Sequence, residues 1–414
     1  MKSLKICLSV SFLLFAQAAM ADTTQLPGGI GAVIFKYISA DVPDSFGKSG
    51  DSKDFSIKET LGASIIKGIS SDVSAVYDQL HALAPAIANN INLGYVDLEP
   101  KIHVTANVYG LAFGISDRVM LAVGAPVMHG EIHVNGGYVN SGSIGAAAQQ
   151  LKKVTDPNSK DLAFAMGQAL EQLPTSRGEY LQNVIVNTYH YKPIGDWSAT
   201  GIGDMQSYLQ IKLYDGEDYR QSLKVGADIP TGKPSDPDNL VDIPFGQGYF
   251  DSYLESLHDF SLLGDNDLVM SLVGRYQYSF ATTQTFRLSP STSFPLTDQE
   301  EAIHYKPGNA WSTGIGLSTK FFKNFTAGIS YLYKSKASDS IRGNRSSYDY
   351  SILEDATNSN ASTVGAEIYF NTIQLFKKKI FPIPLRVGVE ANRVVAGLNT
   401  QQVNQISLNV QTYF

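Results

Sequence analysis

A transmembrane antiparallel β-barrel of about twelve strands, with helical segments in its long extracellular loops, is the fold this sequence predicts. Three observations predict it. Segments of about ten residues alternate apolar with polar side chains along most of the chain. The connections between them alternate long and short. The final stretch "ISLNVQTYF", Ile406 to Phe414, sets Ile406, Leu408, Val410, Thr412 and Phe414 on one side and stops on the aromatic, where a soluble chain usually ends frayed and polar.

Composition agrees. The chain has 36 Gly, 22 Tyr and 20 Phe but only 17% charged residues. Beyond the opening segment no stretch approaches the ~18 to 20 consecutive apolar residues of a membrane helix, while alternation keeps the mean hydropathy near zero. The net charge of -7 argues against nucleic acid as a partner, because phosphates call for a basic excess. The opening "MKSLKICLSVSFLLFAQAAMA" joins Lys2 and Lys5 to an apolar core and a small-residue end at Ala21, the pattern of a secretory signal peptide. We therefore expect a leader over 1–21 and a barrel over 22–414. Cys7, the sole cysteine, lies in the leader, so the mature chain is expected to hold no disulfide and no thiolate chemistry.

The strands follow in order. "GIGAVIFKYIS" (Gly29 to Ser39) is the first; Lys101 to Gly114 and Arg118 to Val134 are joined by "ISD", and Asp204 to Tyr214 and Tyr219 to Ile229 by "DGED". Tyr249 to Leu262 and Leu268 to Phe280 flank "LGDND", and Ala310 to Phe321 and Phe325 to Lys334 flank "FKN". Ser362 to Thr372, Pro384 to Asn392 and a last strand from about Gln402 complete the set. Connections after the even strands are short, that after the tenth moderate, and those after the odd strands long except after the eleventh. Such parity fits a barrel with short periplasmic turns, long outer loops and both chain ends on the periplasmic side.

Two long loops carry helical periodicity. Leu61, Ile65, Ile69, Val73, Val76, Leu80, Leu83 and Ile87 recur at three- and four-residue steps, predicting an amphipathic helix over the mouth. Leu162, Met166, Leu170 and Leu173 form a weaker pattern in the third connection. These are either caps on the entrance or folded surface loops.

Side chains on the polar side of each strand would line the lumen, and the charged candidates are Lys224, Asp228, Arg275, Glu367, Arg386 and Glu390. Glu367, Glu390 and Arg386 are expected to form one ladder, either a working surface or a structural ionic network. Twelve strands should leave a narrow, partly filled lumen. Gly124 and Pro126 in "VGAPVMHG" interrupt the third strand, since proline removes a ladder hydrogen bond.

Reactive constellations are weak. "HGEIH" puts His129, Glu131 and His133 on one strand face, but strand rise separates the two histidines by ~13 Å, too far to share a zinc ion at ~2 Å bonds. Asp236, Asp238 and Asp242 in "PSDPDNLVD" could meet divalent ions among lipopolysaccharide head groups, yet lack regular ligand spacing and read better as a solvated loop. The sequence has neither GxSxG nor HExxH. No catalytic residue, metal site or cofactor is expected.

Three stretches carry a family resemblance. "YGLAFGISDRVMLAVGAPV", "GIGDMQSYLQIKL" and "LKVGADIPTGKPSD" with "GQGYFD" resemble the outer-membrane hydrophobic-compound transporters of the FadL-like superfamily, in particular a meta-pathway phenol-degradation branch. The resemblance covers about Tyr109 to Phe280. It implies an outer-membrane channel of a Gram-negative bacterium that admits small hydrophobic or aromatic solutes passively, and a third-strand distortion that lets solute leave sideways through the wall. The bland alternative for Pro126 is that the membrane-crossing part ends there. The terminal Phe414 resembles the signal read by barrel-assembly machinery, so that machinery, membrane lipid, lipopolysaccharide and a hydrophobic solute are the expected partners. One departure stands out: the first strand begins so soon after the leader that no N-terminal segment is expected to plug the barrel. The alternatives are a structural or surface-interaction barrel with a closed lumen and, remotely, an outer-membrane hydrolase.

Overall fold

The computed structural model describes residues 23, 25–55, 57–62, 71–139, 142–171, 182–263, 267–292 and 296–414, with the backbone alone at 57–59, 71–73 and 169. The expected leader and the helix positions Ile65, Ile69 and Leu173 lie outside the described residues, and so does the side chain of Val73.

Twelve strands form the wall: β1 (Gly31–Phe46), β2 (Asn92–Ser116), β3 (Val119–Val139), β4 (Met205–Asp215), β5 (Tyr219–Ile229), β6 (Asp251–Leu263), β7 (Leu268–Ser279), β8 (Ala310–Phe322), β9 (Phe325–Lys336), β10 (Ser359–Asn371), β11 (Leu385–Leu398) and β12 (Thr400–Tyr413). Each pairs antiparallel with its neighbour in sequence, and β1 closes the ring by pairing β2 on one side and β12 on the other. The closure lies where the sequence ends: Gly31 and Phe414 exchange backbone hydrogen bonds of 2.9 and 3.0 Å. The Phe414 ring covers Gly31, where a Cβ would collide with it.

Alternation sorts the wall as expected. Ile406, Leu408, Leu209, Ile315, Ile329, Ile368 and Val389 are exposed on the outer surface, as large apolar residues are in a wall whose surroundings are lipid. Polar residues on the other face, Gln405, Ser407, Gln210, Ser222 and Ser271, are buried. On the β2–β3 hairpin the outward apolar run is Tyr109, Leu111, Phe113 and Ile115 with Leu121, Val123 and Val127. Beyond it the outward face turns polar at His103, His129, Glu131 and His133. Pro126 therefore sits at the rim of the apolar band, and the hairpin projects past it, since β2 has 25 residues where ~10 suffice to cross.

The projecting hairpin changes the first loop. Leu61, expected on a helix, lies instead in a strand, Ile57–Gly62, because the extended edge of β2 offers a free ladder that Ile57 takes opposite Leu98. The helices follow: α1 (Ser71–Leu83), α2 (Pro85–Asn90), α3 (Ile144–Leu151) and α4 (Lys160–Glu171). Leu80 of α1 is buried, with Tyr77 beside it, against Ala88, Ile91, Ile144 and Leu151. Val76, expected on that face, is exposed, because Tyr77 at three residues before Leu80 takes the place that four-residue spacing offered to Val76. Leu162 is exposed likewise, whereas Met166 and Leu170 pack inward.

The segment before β1 corrects the expectation that no N-terminal residues enter the barrel. Leu26 packs on Ala32, Ala112, Met120 and Ala122, which face inward from β1, β2 and β3. Thr23 is buried across the lumen, its hydroxyl donating to Asp259 of β6 at 2.5 Å and its carbonyl accepting from Ser222 of β5 at 3.3 Å. A strap of a few residues is long enough because the lumen is narrow, at ~3.3 Å of extended chain per residue.

Candidate functional site: the barrel lumen

Two polar clusters line the barrel lumen. In the first, Lys224 of β5, Glu255 of β6 and Arg275 of β7 are consecutive register partners. Lys224 pairs with Glu255 at 3.1 Å, and Arg275 approaches Glu255 at 3.8 Å and Asp228 at 3.6 Å. Asp228 also accepts from Gln206. The Arg275 guanidinium lies 3.5 Å above the Tyr253 ring, which lies flat because its cross-strand partner is Gly226, where a Cβ would collide with it. All three expected candidates on these strands thus meet in one network.

The second cluster repeats the device. Tyr369 of β10 lies over Gly388 of β11 and carries the Arg386 guanidinium at 4.2 Å. Its hydroxyl donates to Glu390, which also accepts from Lys36 at 2.7 Å, Asn409 at 2.7 Å and Ser407 at 3.1 Å. The expected Glu367, Glu390 and Arg386 thus lie close together here. Glu367 does stand opposite Glu390 in register, but the ion pair to Glu390 comes from Lys36, and Arg386 stacks on the tyrosine. Lys36, Glu255, Tyr253 and Tyr369 were not among the expected residues. On β1 apolar side chains occupy both faces, so alternation carries no signal for the side on which Lys36 falls.

Toward the long-loop ends of β1, β2 and β3 the inner wall is apolar. Ile38, Ala40 and Val42 of β1, Ile102, Val104 and Ala106 of β2 and Met128 and Ile132 of β3 face inward and are nearly inaccessible. They pack with Val184, Ile185, Tyr189 and Tyr191 from the loop after β3 and with Leu240, Val241, Ile243 and Phe245 from the loop after β5, so both loops fold into the mouth. Gln405 is buried on the same inner surface, and among the described residues neither of its amide atoms has a hydrogen-bond partner.

These loops are fastened at two places. Arg287, in the loop after β7, donates to the carbonyls of Tyr189 (2.6 Å), His190 (3.0 Å) and Thr297 (2.8 Å), and pairs with Asp238 (2.5 Å) and Glu300 (3.0 Å). Its guanidinium also covers the Tyr191 ring at 4.1 Å. Burial pushes the Tyr191 hydroxyl above its ordinary pKa, against the pull of that cation. The second fastening brings together the "GIGD", "PTG" and "GQG" pieces. Asp204 accepts from the backbone N–H of Gly232 at 3.0 Å and of Gln247 at 2.8 Å, and the Thr231 hydroxyl donates to Gly203 at 2.8 Å. Gly232 and Gly246 are in such close approach that a Cβ on either would strike backbone. Burial raises the Asp204 carboxyl above the usual range, and the two N–H donors oppose that shift.

Pro126 adjoins this clasp. β2 and β3 keep register through it, Val108 facing Pro126 and Gly110 facing Gly124. On its other side β3 changes partner, from β4 up to Gly124 to the strand Trp197–Ile202 from Val127, and between them Gly203 donates to the Pro126 carbonyl at 2.8 Å. The missing proline N–H falls in this change of partner, where no ladder bond is lost.

The remaining expected polar groups lie outside the two lumen clusters. His129 bonds Glu131 at 2.9 Å and Thr200 at 2.8 Å, while His133 meets Asp196 at 3.4 Å. Asp196 is held below the ordinary carboxylate pKa by the Val134 N–H and by His133. Asp242 accepts from Ser235 and from the Asp236 N–H, Asp236 pairs with Lys192 at 2.5 Å, and Asp238 is taken by Arg287.

No protein-family model matches the chain, and no curated protein does. Among solved structures it resembles an outer-membrane channel from Pseudomonas putida F1, with a TM-score of 0.53 at 11% identity over 95% of this chain and 98% of that one. The toluene transporters TodX of Pseudomonas putida (10% identity, 100% and 95% covered) and TbuX of Ralstonia pickettii (9%, 96% and 92%) superpose at a TM-score of 0.34, too loosely to carry argument. Closed ring, outward apolar band and this likeness agree: the chain has the twelve-stranded fold of an outer-membrane β-barrel.

Proposed function

We propose that the protein is an outer-membrane channel through which small hydrophobic or aromatic molecules diffuse passively. The observation that supports this most directly is the apolar inner wall of Ile38, Val104, Met128 and Ile132 beneath two inward-folded loops. An aqueous pore would have no use for it. Solute collects under the loops, moves along this wall past the Gln405 amide, and leaves through the lumen or through the change of strand partners beside Gly124 and Pro126. In this reading a Gram-negative cell exports the chain by its leader, assembly machinery reads Phe414, and lipopolysaccharide surrounds the polar outer face at His103 and His129. The similarity of its "PTG" region to the phenol-degradation branch of the FadL-like superfamily belongs to the same proposal.

Liposomes holding the purified protein should take up a small apolar aromatic faster than empty vesicles. Ile132→Arg, with folding confirmed, should abolish the excess by placing a charge in the apolar route. Equal rates for wild type and empty vesicles would sink the channel. They would favour a closed structural barrel, the reading supported by the Thr23 strap and the two ionic clusters.

A further inference from the structure

We infer that the periplasmic rim formed by the β8–β9 and β10–β11 turns is a binding site for an anionic phospholipid of the inner leaflet. The site is independent of whether the barrel transports anything.

The β10–β11 turn is a built platform. Asn371 donates its N–H to the carbonyl of Asn324 in the neighbouring turn at 2.9 Å. The buried Thr372 hydroxyl donates to Ile383 at 2.8 Å and accepts from the Leu385 N–H at 2.8 Å. A short helix, Ile373–Lys377, ends where Lys379 takes a positive φ of 59° and its N–H bonds Phe376 at 2.8 Å. On this platform Phe376, Ile380 and Ile383 are exposed, Ile380 at 68%.

Beside it, Phe321, Phe322 and Phe325 of the β8–β9 turn pack against one another and against Phe370 while remaining exposed. These rings continue the lipid-facing surface of Ile329, Ile368 and Val389 to its periplasmic edge. Lys377, Lys378, Lys379 and Lys323 stand exposed among them, and among the described residues none of the four makes an ion pair. Neither 319–326 nor 371–384 contains an Asp or Glu.

Across the same rim the charge reverses: the turns after β2, β4 and β6 bring Asp117, Asp215, Glu217, Asp218 and Asp267. Apolar side chains continuous with the membrane surface, topped by four cations without a local counter-charge, match acyl chains beneath a phosphate head group. The phosphate would take N–H donors from the lysines, and the acyl chains would lie on Phe322, Phe376 and Ile380. Short turns put this rim in the periplasmic leaflet, so the occupant is a phospholipid and not lipopolysaccharide.

Native mass spectrometry of the full chain in detergent, titrated with phosphatidylglycerol or phosphatidylcholine, tests this. The wild type should retain phosphatidylglycerol at least about tenfold more tightly, with the preference falling as salt rises. K377Q/K378Q/K379Q should bind both lipids alike, whereas the triple arginine replacement should keep the preference. Equal retention of the two lipids by the wild type would overturn the inference, and so would an unchanged preference in the glutamine variant. Should that variant fail to fold, the salt dependence of the wild type decides alone: a preference that salt leaves untouched rejects the site.

Discussion

The two polar clusters of the lumen share one construction and differ in what they tie together. Each lays a tyrosine ring over a cross-strand glycine and sets an arginine on the ring: Gly226, Tyr253 and Arg275 in one, Gly388, Tyr369 and Arg386 in the other. The first satisfies its charges among consecutive strands, Lys224, Glu255 and Asp228 lying on β5 and β6 beside Arg275 on β7. The second reaches from β10 and β11 through β12 to Lys36 on β1, across the seam that closes the barrel. A local network trims the lumen, whereas one that spans the seam also holds the first strand to the last.

That difference should show most strongly at Lys36. Lys36→Met leaves Glu390 buried without its cation, a loss of roughly 3 kcal/mol, read as a lower denaturant midpoint in urea. K36M/E390L should recover most of it, since replacing both partners removes the uncompensated charge. A single variant as stable as wild type would deny the seam its special role. Next come Gly388→Ala and Gly226→Ala, each displacing a ring at about 1 to 3 kcal/mol. The first should cost more, because it also moves the Tyr369 hydroxyl from Glu390. Lys224→Gln should cost about 1 kcal/mol and add to Lys36→Met within about 0.5 kcal/mol, since Lys224 pairs with Glu255 and Lys36 with Glu390. Strong non-additivity would mean that the two act as one.

The smallest effect concerns the outer loops. Asp196 has its carboxyl below the usual 3.8, so its contribution to holding the loop on β3 is complete above that value and is lost as pH falls through the lowered one. Asp196→Asn should remove this dependence. Proteolysis near residue 196, followed as the pH is lowered from 5 to 2, reads the difference.

The wall was legible because a strand in lipid must alternate, and residues such as Ile406 against Ser407 announce their sides. The same rule brought out Lys224, Asp228 and Arg275. It failed at Lys36, whose neighbours Phe35 and Tyr37 outside and Ile34 and Ile38 inside are all apolar. Periodicity likewise placed a helix at Leu80 but chose Val76 for its inward neighbour where Tyr77 is buried, both being one turn away. The strap at Thr23 had no periodic signal at all, being a few residues held by single hydrogen bonds.

What the sequence by itself determined is therefore the medium and the architecture. Twelve alternating segments and loops of opposite length at the two ends follow from what lipid demands of each strand locally. Only the tertiary structure decided what fills the barrel. The Asp204 clasp joins residues up to 43 positions apart, Lys36 meets Glu390 across 354, and Thr23 meets Asp259 across 236. Such meetings depend on ring closure and on how the loops fold into the mouth, and no local pattern in the chain encodes either.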